Sequence, residues 1–422
     1  MVLADLVVPC RMVVPALAMA AALVVALGWR NAWAPAAGAA AGVAIALAGS
    51  AVRAPDVTNA AKDLWRPLVT ILGLMATTAC AAELGVFERL ASLIEPRTRG
   101  PVRHAFRFVY MLSALTAALL SNDAAILLVP PVVLALLRTV YPRRNPKFLV
   151  PFAFCAFVAA GVAPLATGNP MNLVVAERAG IGFNTYALHM IPVALVSWLV
   201  SYAALAWCFR RPLSDEAPAL GAWPPQPPLR PAARAVLAIT GASIASYPVL
   251  AATEHPLWVV AAPAALVCVA IALASGVSLR AINKGISWEL VPFVFGMLVL
   301  ATAVARSGAA DALSRLYAHS PLPLATCGAV AAAGSALIDN HPMALLHSLA
   351  LADAPHRLIY AALVGGDLGP RILPIGSLAG LLWVHSLRRA AVPVPLGLFV
   401  RVGLTVTLPS LVASLATLYL VS

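Results

Sequence analysis

Residues 106–137 read FRFVYMLSALTAALLSNDAAILLVPPVVLALL, an apolar run of 32 residues interrupted near its centre by Ser121-Asn122-Asp123. A continuous lipid-spanning helix has no reason to place that triplet at mid-depth. Polar backbone left unsatisfied there costs several kcal/mol unless it is enclosed by protein or lines a wet cavity. Both flanks are strongly basic, so the stretch reads as a hairpin that enters and leaves a bilayer on one side, with a polar tip. A second hairpin at 322–351 breaks at Asp339-Asn340-His341-Pro342.

Working outward, the rest of the chain needs lipid as its solvent. Of 422 residues, 62% are apolar and 10% charged, and the mean hydropathy is +0.92; a water-facing domain carries roughly 25% charged residues. Pro15–Trp29, Trp33–Val52, Leu68–Ala82, Met190–Phe209 and Leu257–Ser275 are long apolar runs, where about 20 residues cross roughly 30 Å of hydrocarbon. No loop is long enough to be a soluble domain. The first run is read as an anchor rather than a cleaved signal, because Arg11 stands alone and a second span follows at once. Cys10, Cys80, Cys155, Cys208, Cys268 and Cys327 are scattered, with no CxxC and no His pair at metal spacing, so neither a disulfide frame nor a structural metal is expected. The net charge of +12 is read as loop Lys and Arg on the cytoplasmic side, not as a nucleic-acid surface.

The chain repeats itself once. Trp65 precedes Gly73 by eight positions and Gly85 by twenty, and Trp288 precedes Gly296 and Gly308 by the same intervals. Ser121-Asn122-Asp123 then matches Asp339-Asn340-His341, and Thr167-Gly168-Asn169-Pro170 matches Ile375-Gly376-Ser377-Leu378. The expected organisation is a first repeat at 1–209, with a hairpin at 106–137 and a broken helix at 148–176. A Pro-rich cytoplasmic linker occupies 210–234. A second repeat follows at 235–422, with a hairpin at 322–351 and a broken helix at 358–387. Placing the flanks of the first hairpin inside puts about twice as many basic residues in cytoplasmic loops as on the other side. That predicts an all-α polytopic membrane protein of two inverted repeats, with about ten transmembrane helices, two re-entrant hairpins and two broken helices.

Short or Gly/Pro-interrupted segments at matching positions of inverted halves point to a transport site. The substrate-binding candidates are Ser121, Asn122, Gly168, Asn169, Asn172, Asn340, Gly376 and Ser377. Gly and Pro free backbone groups there, and Asn and Ser supply both donors and acceptors. The proton-coupling candidates are Asp123, Asp339, Asp367 and Arg371, since a charge near the bilayer centre costs at least about 2.5–3.5 kcal/mol and is kept for a reason. Arg371 follows Asp367 by four residues, a spacing that lets the two pair on a continuous helix. His341 and His347 are read as side chains that hydrogen-bond a neighbouring helix, and Glu83 as reaching the interface.

Gly365–His385 reads GGDLGPRILPIGSLAGLLWVH and resembles the hallmark segment of the arsenite efflux permeases, the ArsB family, within a wider ion-transporter superfamily. The resemblance extends through Leu119–Pro130, Asn172-Leu173-Val174 and Phe399–Pro409, and in segment order it covers nearly the whole chain. It departs at Asp339, an acid where the family has an amide. It implies export of arsenite, and of antimonite, across a bacterial inner membrane, driven by proton entry and with no cofactor. In some systems a soluble ATPase subunit joins such a permease; the resemblance leaves that partner and a homodimer open. Arsenous acid is neutral at pH 7, so amides, hydroxyls and backbone groups suffice to bind it. The competing expectation is a Na⁺- or H⁺-coupled carrier of organic anions, or a Na⁺/H⁺ antiporter. A membrane enzyme is disfavoured by the lack of HExxH, GxSxG or a grouped His/Asp motif, and a pure channel by the hairpin architecture.

Overall fold

The computed structural model describes residues 33–98, 101–119, 122–141, 146–214, 227–253, 255–377 and 394–422, with isolated residues between 15 and 21 and between 379 and 392. Ser121, most of Pro15–Trp29, positions 215–226 of the 210–234 linker, Arg388 and Arg389 lie outside the described residues, as does the side chain of Asp123.

All regular structure among the described residues is helical. The first helices are α1 (Ala34–Ala48), α2 (Ala54–Glu83) and α3 (Val86–Thr98). Next come the paired α4 (Val102–Leu119) and α5 (Asn122–Val140), then α6 (Val150–Ala159), α7 (Pro170–Arg178) and α8 (Phe183–Cys208). The second part holds α9 (Pro231–Ala252), α10 (Trp258–Ala274), α11 (Leu290–Val304) and α12 (Ala310–His319). It ends with α13 (Pro323–Ile338), α14 (Asn340–Ala350), α15 (His356–Leu368) and α16 (Leu396–Val421). Proline sits in the first turn of α1, α2, α6, α7 and α13, where its missing N–H is no loss and its fixed φ suits the helix.

Among the described residues, four helical stretches are long and apolar enough to cross a membrane: Leu64–Glu83, Phe183–Cys208, Leu290–His319 and Leu396–Val421. Their outer faces suit lipid: Leu199 on α8 is 69% exposed and Leu420 on α16 is 81% exposed. Where α8 and α16 pack along each other the buried side chains include Ser197, Ser201, Ser410 and Ser414, small enough for close backbone approach between helices that share no hydrophobic drive in lipid. The two larger cores each draw on both ends of the chain. One joins Val174 and Met190 to Leu298, Leu345 and Val364. The other joins Phe106, Phe152 and Phe157 to Trp383 and Phe399, with Trp383 stacked on Phe157 at 5.0 Å and donating from Nε1 to the Ala153 carbonyl at 3.1 Å.

The paired glycine landmarks have a physical basis. A Cβ at Gly73 would lie 2.8 Å from the Ala261 carbonyl oxygen on α10, and one at Gly296 would lie 2.8 Å from the Ala39 Cβ on α1. The second glycines take positive φ, +82° at Gly85 and +99° at Gly308. Each turns the chain from a long apolar helix into a short amphipathic one, α3 or α12, elements the sequence reading did not separate. Gly308 belongs to a π-helical segment, Ala305–Ala309, that joins α11 to α12. From that segment the Arg306 guanidinium grips both Asp56 carboxylate oxygens in the first turn of α2. Asp56 also accepts from the Arg53 amide at 2.8 Å, capping α2.

An L-residue in the left-handed region costs roughly 1–2 kcal/mol. Gly85→Ala and Gly308→Ala are each expected to lower the thermal unfolding midpoint of detergent-purified protein. Gly241→Ala on α9, where a Cβ meets nothing within 4 Å, is expected to hold or raise it. Equal effects at the three positions would contradict the turn assignment.

Candidate transport site

The site forms where four interruptions meet. Between α6 and α7 the chain leaves the helix at Ala160, passes a 3-10 turn at Ala166–Gly168, and resumes at Pro170. After α15 it tightens into 3-10 turns at Gly369–Arg371 and Pro374–Gly376. The α4–α5 and α13–α14 tips complete the set. They enclose a cavity of about 40 Å³ lined by Asn122, Asn169, Asn340, His341, Asp367, Arg371 and Ser377, with apolar walls from Ile126, Phe157, Ala160, Pro370 and Ala379. A cavity needs only about 10–15 Å³ by that measure to admit one water, so the space suits a solute of a few heavy atoms.

Asp367 is the hub. Its carboxylate accepts from the Ala163 amide at 3.0 Å, from Asn169 Nδ2 at 2.6 Å and from Asn172 Nδ2 at 2.9 Å. Asn172 also donates to the Tyr186 hydroxyl at 2.8 Å, and Tyr186 donates to the Ala163 carbonyl at 3.2 Å. Asn169 has a second role: its Oδ1 accepts from the Met171 amide at 3.1 Å and caps α7. Charge-assisted bonds of this kind contribute about 1.5–3 kcal/mol each. On the other side Asn122 Nδ2 donates to the Gly161 carbonyl at 3.0 Å, fastening the first hairpin tip to the same break.

The expected Asp367–Arg371 contact is not made. The 3-10 turn at Gly369–Arg371 replaces the α-helical spacing that would bring the two side chains together. Arg371 turns the other way, donating to Ser201 Oγ at 3.0 Å and to the Val158 carbonyl. Ser201 in turn hydrogen-bonds Ser410 at 2.8 Å, and Ser410 donates to the Val406 carbonyl. The guanidinium is 2% exposed, and its Nε has no hydrogen-bond partner among the described residues. It passes over Gly161, where any Cβ would overlap it.

Of the sequence candidates, Asn122, Asn169, Asn340, Ser377, Asp367 and Arg371 reach the cavity. Asn172 acts behind it, through Asp367. Gly168 and Gly376 do not line it; a Cβ at Gly376 would meet the Pro370 Cα at 2.7 Å and the Ser335 carbonyl at 2.9 Å, so that glycine serves close packing. Asp339 sits at the second tip without lining the cavity, its Oδ1 accepting from the His341 amide at 2.9 Å. Ser121 and the Asp123 side chain fall outside the described residues. His347 follows the helix-bonding expectation, with Nε2 2.7 Å from the Tyr317 hydroxyl and Nδ1 on the Met343 carbonyl at 2.9 Å. His341 does not; it lines the cavity. Gly161 and Tyr186 were not foreseen. The small-residue run Ala159–Ala163 was the available signal for Gly161, and nothing in the sequence flags Tyr186. Cys80, Cys155, Cys208, Cys268 and Cys327 are free thiols, and none lines the cavity.

The sequence pattern of the family described as "Arsenical pump membrane protein", ArsB, matches residues 14–422. The chain belongs to that family. It is 28% identical over 395 residues to the arsenical pump membrane protein of Escherichia coli, covering 90% of this chain and 92% of that one. The protein of the same name from Yersinia enterocolitica is 29% identical over 393 residues, covering 89% and 91%. An uncharacterized transporter of Mycobacterium tuberculosis is 27% identical over 388 residues, covering 84% and 85%. Among solved structures, the Alcanivorax borkumensis YdaH transporter shares the fold with a TM-score of 0.56 at 16% identity, over 86% of this chain and 87% of that one. Neisseria gonorrhoeae MtrF, described within a class of antimetabolite efflux pumps, gives 0.52 at 15% identity, over 86% and 82%. This ArsB-family chain is therefore a multi-pass helical membrane transporter, and its relatives are named as pumps and transporters, not enzymes.

Gly161→Ala is expected to expel the Arg371 guanidinium and to cost about 2 kcal/mol or more, through overpacking and lost charged hydrogen bonds. In an Arg371→Ala background the same substitution should add little, as read by unfolding in detergent. Full additivity of the two changes would contradict the contact.

Proposed function

We propose that the protein exports arsenite, and antimonite with it, across the bacterial inner membrane in exchange for protons, by alternating access around the cavity. The observation that carries this reading is a cavity sized for a small solute whose polar lining is three amides, a hydroxyl, an imidazole and two opposite charges that do not touch. In support, the curated Escherichia coli and Yersinia relatives are named arsenical pumps. Arsenous acid presents three hydroxyls and no charge at pH 7. Asn122, Asn340 and Ser377 offer it donors and acceptors, and Asn169, already bonded to Asp367, shapes the pocket. Asp367 balances the charge of Arg371 across the cavity. Protonation within the set of Asp123, Asp339, Asp367 and Arg371 would change that balance and bias one face of the cycle over the other. The two hairpins and two broken helices act here as inverted repeats that rock about the site. No thiol is needed, and three converging thiolates would hold the ion too tightly for release.

Everted membrane vesicles test this directly. Arsenite uptake is expected under an imposed inward-acidic pH gradient, with or without Na⁺. Uptake that requires Na⁺ and ignores the pH gradient would favour sodium coupling, and no uptake in vesicles with verified protein would defeat the substrate assignment. In arsenite-sensitive cells Asp367→Asn should cut efflux at least about tenfold, the equivalent of one lost charged hydrogen bond, with the protein still present in the membrane. Unaltered efflux would remove Asp367 from the mechanism.

A further inference from the structure

Three neighbouring helices end alike on their outer faces. On α4 an exposed row at four-residue spacing runs from Leu115 and Met111 to Arg107 and Arg103. On α8 the exposed row Leu199, Ala203 and Trp207 is continued at the same spacing by Arg211, beside Arg210. On α16 the exposed row Val412, Leu408 and Leu404 leads to Arg401. Residues three and four apart share one face of a helix. Each row is therefore apolar along its length and cationic at one end.

The cationic ends coincide. The Tyr110 hydroxyl donates to the Trp198 carbonyl at 2.9 Å, and the Phe106 ring lies 6.0 Å from that of Tyr202. The start of α4 thus stands beside the end of α8. Phe154 of α6 touches both Phe209 and Phe399, at 5.7 and 6.0 Å, which brings the start of α16 to the same place. The Arg210 guanidinium lies over the Trp207 ring at 5.3 Å. No Asp or Glu occurs in α4, in α8, in α16 or in the 209–214 stretch that follows α8. Among the described residues no carboxylate pairs with any of the five arginines. Asp215 and Glu216 come next in the sequence, outside the described residues, and two acids cannot match five cations.

Depth sharpens the need for a partner. Arg107 is roughly level with Ser201, seven residues before the end of α8, or about 10 Å along its axis. A guanidinium that far below a helix end and facing lipid is costly unless it reaches up to an acceptor. The Cα–Cβ bond tilts toward the helix N-terminus, so on α4 and α16 it points Arg107 and Arg401 to the shared cationic end. Arginine presents a planar fork that matches phosphate oxygens two at a time. A second copy of this chain on the same face would set arginine against arginine.

We propose that the adjoining ends of α4, α8 and α16 form a binding site for an anionic phospholipid, its phosphate held by the arginines and its acyl chains lying along the apolar rows. A zwitterionic lipid offers the same phosphate but cancels the charge with its own ammonium, so the site favours a headgroup of net negative charge. Nothing in this depends on which solute crosses the membrane.

The test is native mass spectrometry of the purified full-length protein in detergent, titrated with dioleoylphosphatidylglycerol or with dioleoylphosphatidylcholine. An arginine at a charged lipid surface raises affinity about fivefold, so phosphatidylglycerol should bind at least about tenfold more tightly than phosphatidylcholine. The triple variant R107Q/R210Q/R401Q should cut that ratio at least about fivefold. A charge-matched triple at exposed positions on other elements, R280Q/R315Q/R357Q, should hold the ratio within about twofold. Should the first triple not purify, Arg107→Gln and Arg401→Gln decide singly, each lowering the ratio at least about twofold where Arg315→Gln leaves it unchanged. Equal affinity of the wild type for the two lipids overturns the site, and so does an equal loss in the two sets of variants, which would mean diffuse attraction to the net charge. Displacement of the lipid by millimolar sodium phosphate, beyond that caused by sodium chloride at equal ionic strength, would show a site for the free ion and overturn the lipid assignment.

Discussion

The Asp367 carboxylate is the constraint from which the site's other features follow. It belongs to the end of α15, yet all three of its donors come from the 163–172 segment about 200 residues earlier. A carboxylate taken out of water must be surrounded by donors or paired with a cation. Here the donors are supplied by a stretch of backbone that has left the helix. The break between α6 and α7 is therefore not slack. It exposes the Ala163 amide and frees Asn169 and Asn172 to converge on one group. With three donors on the carboxylate and a 3-10 turn between the two residues, Arg371 satisfies itself elsewhere, on Ser201 and the Val158 carbonyl. The cavity lies between two charges held apart in this way.

That separation matters for transport. A static buried ion pair would be a structural rivet: neutral, saturated and indifferent to what passes. Two opposite charges with independent hydrogen-bond shells leave a polarised gap between them, walled by Phe157 and Pro370 and closed by the amides of Asn122 and Asn340. On the function proposed above, such a gap takes a small polar solute without a thiol or a metal, and a change of one unit of charge on its lining alters what it can hold.

Much of this was legible in the sequence because interruptions in apolar runs are loud. Asn122, Asp339-Asn340, Gly168-Asn169-Pro170 and Gly369–Arg371 each sit at a break in the structure, while Gly365–Leu368, read as part of the last break, complete α15 as helix. The glycine spacing after Trp65 and Trp288 was visible as pattern; its cause, close contact at Gly73 and Gly296 and positive φ at Gly85 and Gly308, needed coordinates. What the sequence did not carry was who bonds whom. Helical spacing suggested Asp367 with Arg371, and a change from α to 3-10 geometry over three residues undid it. His341 and His347 look alike in one dimension. Only packing shows that His347 is satisfied by Tyr317 while His341 lines the cavity. The short helices α3 and α12 were hidden because amphipathic helices of this length beside long apolar ones read as loop.

The most direct measurement of the central claim is a double-mutant cycle between Asn169→Ala and Asp367→Ala, read as unfolding free energy in detergent. Asn169 Nδ2 lies 2.6 Å from the carboxylate, so the account predicts a coupling of about 1.5–3 kcal/mol. Additivity within about 0.5 kcal/mol would mean that the first broken helix and the second are not held together by Asp367, and the site would lose the interaction that shapes it.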